Sequence, residues 1–115
     1  MAIYFLTSTS KKLLETFKKA IDDGDVRTWE YDDAGDFTHT ASQWDREAWL
    51  RPKLEQDRLT LHILPPKKKI ITPEIYGIYH GRFIESMIIH CGQLFTQGIA
   101  TAKETSGDIV KGSDA

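Results

Sequence analysis

Asparagine is missing altogether from the 115 residues, and cysteine occurs once, at Cys91. Without Asn there is no N-glycosylation acceptor, and a single thiol forms no internal disulfide, so the chain reads as cytosolic and not as a stapled secreted domain. Long apolar runs are lacking too. The apolar opening "AIYFL" is far short of the roughly 20 residues a membrane-spanning helix needs, so no membrane partner is expected. Neither sign of charge dominates: 15 Lys and Arg stand against 17 Asp and Glu, a net charge of −2. Such a balance gives no global attraction to DNA, RNA or an anionic membrane, and nucleic acid is disfavoured as a partner. The sequence contains no G-x-S-x-G elbow, no P-loop spacing and no EF-hand pattern, and neither a cofactor nor a metal is expected.

What is present is enough apolar and aromatic material for one hydrophobic core, and the length suits one domain. "AIYFL" reads as a buried strand, followed by the hydroxyl run Thr7 to Ser10, with Ser10 as the expected helix N-cap. From Lys11 to Asp23 the apolar residues Leu13, Leu14, Phe17, Ala20 and Ile21 recur at helical spacing, and Gly24 supplies a left-handed stop. "VRTWEY" and "FTHTA" alternate on either side of "DDAGD", a hairpin pattern with Gly35 in the turn, and Trp29 on the face toward the helices. Segment 42–57 carries a capping-box pattern from Ser42 to Asp45, yet it is read as an irregular turn and then a short edge strand made safe by Pro52. "RLTLHIL" is a strand by alternation, closed by Pro65 and Pro66. Thr72 and Pro73 open a helix expected to run to about Phe95, and "GIATAK" adds a last short strand.

These pieces predict an α+β two-layer sandwich in the order β-α-β-β-β-β-α-β. Its mixed sheet would have five or six strands, with both helices on one face. The first unit would be a right-handed crossover if its strands were parallel. Residues 1–103 form the predicted globular domain, and 104–115, rich in Gly, Ser and Asp, the predicted disordered tail.

Candidate chemistry concentrates in "IYHGRFIESMIIHC", residues 78–91. On a helix, His80 falls within the apolar stripe of Tyr76, Phe83, Ile84, Met87 and Cys91, while Arg82 and Glu85 point nearly the opposite way. His80 and His90 stand about 15 Å apart along the axis, too far to share one metal. A core histidine bonded to backbone or tyrosine is the plain reading of His80. The sharper one is a small pocket beside it, with the imidazole as acid or base and Tyr76 or Tyr79 orienting a substrate. Gly77 and Gly81, which cost helix stability, would serve close packing against the sheet or room for that ligand.

Ser8, Ser10, Lys11 and Lys12 at the first strand-to-helix junction are candidate anion ligands, against ordinary capping. Lys67, Lys68 and Lys69 form the single concentrated basic run, a solvated loop or a phosphate or nucleic-acid contact. By strand counting it shares one end of the sheet with Asp22, Asp23 and Asp25, opposite the end carrying Asp32, Asp33 and Asp36. Finally, Ile75, Ile78, Arg82, Glu85 and Ile89 make a second stripe on the last helix. Two fates are open to it: a two-fold homodimer interface, or cover by segment 42–50 through Trp44 or Trp49. The leading functional expectation is a non-catalytic module binding an unidentified protein or small molecule. The alternative is a small enzyme or ligand binder at His80.

Overall fold

The computed structural model describes residues 2–112. Its elements, in chain order, are β1 (Ala2–Leu6), α1 (Ser10–Asp22), β2 (Trp29–Tyr31), β3 (Phe37–His39), β4 (Trp49–Leu54), β5 (Arg58–Leu64), α2 (Pro73–Cys91) and β6 (Gln97–Ala100). The fold is α+β, with six strands in one open sheet ordered β2-β3-β4-β5-β1-β6. Every neighbouring pair is antiparallel, so the sheet is not mixed. β1 and β2 do run the same way, but β5, β4 and β3 lie between them. The crossover through α1 therefore spans the sheet instead of joining neighbours.

Local chemistry accounts for the helix ends. Thr72 Oγ1 accepts the Ile75 N–H at 3.2 Å and Pro73 occupies the first turn, where its missing N–H leaves no bond unmade. α2 stops at Cys91, a turn earlier than expected, with Gly92 at its C-cap. Gly24, at φ +82°, closes α1 as anticipated, and Gly35, at φ +84°, sits in the β2–β3 turn. Thr9, not Ser10, stands at the N-cap of α1, and its side chain makes no capping bond.

One core lies between the sheet and both helices. Ile3 and Phe5 of β1, Leu59, Leu61 and Ile63 of β5, Leu50 of β4 and Phe37 of β3 meet Leu13 and Phe17 of α1 and Tyr79, Phe83 and Met87 of α2. Trp29 joins them, 1% exposed, edge-on to Tyr79 at 5.5 Å and to Phe83 at 5.0 Å. Because both helices cover one face, the alternate strand residues are left on an open face without a helical layer.

Two departures from the expected pattern shape that open face. β4 is an interior strand, hydrogen-bonded to β5 along its length, yet β3 meets it only where Phe37 stands opposite Leu50. Pro52 thus lies past the end of β3, where an edge-like position tolerates its missing donor. The second departure is the C-terminal segment. Residues 104–112 do not fray: the Ile109 N–H donates to the Ile63 carbonyl at 2.9 Å and the Ile71 N–H to the Val110 carbonyl, and Ile70 bridges Lys111. β1 begins at Ala2, opposite His62, and the segment takes over pairing along β5 from there. Residues 113–115, the rest of the predicted tail, lie outside the described residues.

Candidate functional site

The structure disperses most of the residues singled out by sequence. His80 is 2% exposed; its Nδ1 donates to the Tyr76 carbonyl at 2.8 Å and its ring stacks on Tyr76 with centroids 3.6 Å apart. The Tyr76 hydroxyl donates to the Thr101 carbonyl at 2.6 Å, and the Tyr79 hydroxyl donates to the Trp44 carbonyl and lies 3.1 Å from Thr38 Oγ1. These groups join α2 to its neighbours and stand apart from the concavities that Lys12 and His62 line. A Cβ at Gly77 or Gly81 would meet nothing within 4 Å, so neither glycine serves close packing against the sheet.

The hydroxyl run is also engaged structurally. Ser10 Oγ donates to the Glu55 carbonyl at 2.8 Å, and Thr7 Oγ1 donates to the Leu94 carbonyl at 2.7 Å while accepting the Thr9 N–H. Ser8 is exposed, and Lys11 faces Glu15 at 4.0 Å in solvent. Lys12 alone reaches a concavity, a groove of about 650 Å³ shared with Thr16 of α1 and with Ile88, Ile89, His90 and Gln93. Lys69 lies 3.9 Å from Glu47, while Asp23 is held by Lys19 at 2.7 Å. No ion pair among the described residues joins the lysine run to Asp22, Asp23 or Asp25, and Asp22 instead accepts the Tyr31 hydroxyl at 2.6 Å. The α2 stripe is broken: Ile75 and Ile78 pack at the core margin, whereas Arg82, Glu85 and Ile89 are exposed.

A different constellation forms on the open face. Alternation along β5 turns Arg58, Thr60 and His62 away from the helices, and register places Tyr4 of β1 and Lys53 of β4 on either side of Thr60. Glu55, at the β4–β5 turn, and Thr105 and Ser106, from the C-terminal segment, complete a polar cup of about 230 Å³. Arg58 is held in place twice. Its Nε donates to Glu55 Oε2 at 3.0 Å and its guanidinium lies 4.3 Å from the centroid of the Tyr4 ring. Glu55 also accepts the Thr60 hydroxyl, and that bond, with Arg58, holds its carboxyl below the usual carboxylate range. Lys53 forms no ion pair among the described residues, and its charge bears on both Glu55 and His62.

Behind the cup, His62 Nδ1 lies 3.2 Å from Asp108 Oδ1, in a carboxylate whose side chain is fully buried. Asp108 accepts the Ile63 N–H at 3.0 Å, the Thr105 N–H at 2.8 Å and the Thr105 hydroxyl at 3.1 Å. Burial outweighs these donors and pushes its pKa up to about 6. Burial first, then the charge of Lys53, holds the His62 imidazole below its ordinary value. Near neutrality the pair is therefore a carboxylate and a neutral ring. The Nδ1–H points to Asp108, which leaves the Nε2 lone pair for a ligand. Gly107 packs on that ring: at φ +100°, a Cβ there would stand 2.8 Å from His62 Cε1 and Nε2.

Part of this was accessible in the sequence, since "RLTLHIL" already puts Arg58, Thr60 and His62 on one face. "TSGD" at 105–108, within the expected tail, is a turn signal of the kind in which an aspartate bonds nearby backbone.

Among the described residues no three His, Cys, Asp or Glu side chains converge as metal ligands, and no helix is long and apolar enough to cross a membrane. No protein-family model matches the chain, and no curated protein or solved structure matches it. The chemistry available at the cup is hydrogen bonding and charge pairing from Lys53, Arg58 and Ser106, with a neutral, oriented imidazole beside them.

Proposed function

We propose that the protein is a small binding module whose ligand site is the cup on the open face of the sheet. One observation carries this reading: Lys53, without an ion-pair partner among the described residues, and Arg58, immobilised by Glu55 and Tyr4, line the same concavity as His62. A held guanidinium, an unpaired ammonium and an oriented imidazole converging on a cavity suit a ligand better than they suit stability, to which exposed ion pairs add roughly 0 to 1 kcal/mol. Binding is favoured over catalysis because no hydroxyl or thiol of the described residues is hydrogen-bonded to His62, as an activated nucleophile would be. The test is an amide-resolved NMR titration of the labelled protein with charged and neutral fragments. Saturable shifts confined to residues 60–63 and 105–109 are expected; shifts confined to the Lys12 groove would overturn the assignment.

A second reading, self-association through α2, is favoured by Ile88 and Ile89, 57% and 68% exposed beside the Lys12 groove. Light scattering separates the two. A dimer disrupted by Ile88→Glu with Ile89→Glu would support association, and a wild type monomeric at high concentration would end it. A cytoplasmic setting is part of the same proposal, on the ground of a single, buried, free thiol at Cys91.

A further inference from the structure

Resting on the cup as the ligand site, we infer that its ligand is a phosphate that keeps a proton: inorganic phosphate or the terminal phosphate of a small ester. Complementarity carries the inference. Lys53, Arg58 and Ser106 offer only donors for charge or a hydroxyl free to donate, so the ligand must bring several acceptor oxygens and negative charge. The Arg58 Nε is taken by Glu55 and one face of its guanidinium by the Tyr4 ring, which leaves the terminal nitrogens as the edge presented to a ligand.

The imidazole sets the second condition. With Nδ1–H committed to Asp108, Nε2 is an acceptor, and a fully deprotonated anion placed against it would set lone pair against lone pair. A carboxylate or a sulfate near neutrality has no proton to offer there. Inorganic phosphate retains at least one P–OH, and a monoester retains one in its monoanion, whose proton leaves at a pKa of about 6. One group thus satisfies the cations through its oxygens and His62 through its hydroxyl. The cup's own negative charges do not oppose it strongly, because Glu55 is tied to Arg58 and Thr60, and Asp108 is buried behind the ring.

Three probes test the inference in amide-resolved NMR titrations at constant ionic strength, at about pH 7 and about pH 6: inorganic phosphate, phenyl phosphate and sulfate. Inorganic phosphate should move residues 60–63 and 105–109 saturably at both pH values, and phenyl phosphate more tightly at the lower one, where its monoanion is populated, with sulfate weaker than inorganic phosphate by about tenfold or more, the cost of one unmatched hydrogen bond. The balance between inorganic phosphate and phenyl phosphate tells a free anion from an ester. Lys53→Met should weaken phosphate by about tenfold, as loss of a charge-assisted bond does, while Lys11→Met, a lysine on α1 outside the cup, leaves it unchanged. Phosphate and sulfate binding alike, or Lys53→Met behaving as Lys11→Met does, would overturn the phosphate assignment while neutral fragments still moving the cup would keep the binding site. If no probe, charged or neutral, moves these amides, both the site and its ligand class fall.

Discussion

Asp108 and His62, 46 residues apart in the chain, meet side chain to side chain at 3.2 Å, and their contact pins the C-terminal segment to the end of β5. The segment lies where Ile63 follows His62, the residue that stands opposite Ala2 of β1. Asp108 takes the Ile63 N–H and Ile109 donates to the Ile63 carbonyl. The contact builds one wall of the cup and satisfies the Ile63 backbone with the same few residues.

Its pH dependence follows from the direction of the Asp108 shift. The carboxyl titrates at about 6 when buried, against 3.8 ordinarily, so folding takes up a proton between those values. The contribution of Asp108 is full below the lower value and is lost as the pH rises through the higher one. Asp108→Asn cannot titrate. The stability of Asp108→Asn relative to wild type should therefore climb by about 1 to 3 kcal/mol between acid and neutral pH, in urea unfolding at a series of pH values. His62 is present in both proteins, and Lys53 and Glu55 face it in both, so their titration largely cancels. A flat difference would mean the carboxyl is not desolvated.

Gly107→Ala should loosen the same joint. The position has φ +100° and a Cβ would press on the His62 ring, so strain and displacement together should cost about 1 to 3 kcal/mol. Hydrogen exchange would show where: faster exchange at Ile63 and Ile109, with the α1 and α2 amides unchanged. An alanine variant as stable as wild type would show that the segment does not seat on His62.

Gly81→Ala should act in the opposite sense. Gly77 and Gly81 lie inside α2, with open space where a Cβ would sit, so alanine removes a glycine penalty without a clash. Each replacement should stabilise by about 0.5 to 1 kcal/mol, read from the urea midpoint at constant slope. Loss of stability at either position would revive the close-packing role the sequence suggested.

Trp29→Ala tests the core itself. The indole is 1% exposed and touches Phe83, Tyr79 and His39 edge-on, so truncation should cost about 3 to 5 kcal/mol. A loss below about 1 kcal/mol in equilibrium unfolding would contradict the burial of that ring.

Whatever depends on neighbours a few residues away can be read directly along the chain. Thr72 and Pro73 start α2, Gly24 ends α1, Gly35 turns the hairpin, and alternation in "RLTLHIL" puts Arg58, Thr60 and His62 on one side of a strand and Leu59, Leu61 and Ile63 on the other. Capping, turn geometry and strand periodicity are set within about one turn or one pleat, so they can be read in order along the chain. Burial of Trp29 and of the Tyr76, Phe83 and Met87 stripe was legible for the same reason. Which strands are neighbours emerges from the assembled sheet, and hence that Tyr4 and Lys53 flank Thr60, that Pro52 lies beyond the end of β3, and that His80 is enclosed while His62 lines a cup. So does the docking of 104–112, since a segment with little to bury carries no hydrophobic signal; what holds it is the Ile63 backbone and one buried carboxylate. Those are consequences of register across the whole sheet, and register is a relation between residues far apart in the chain.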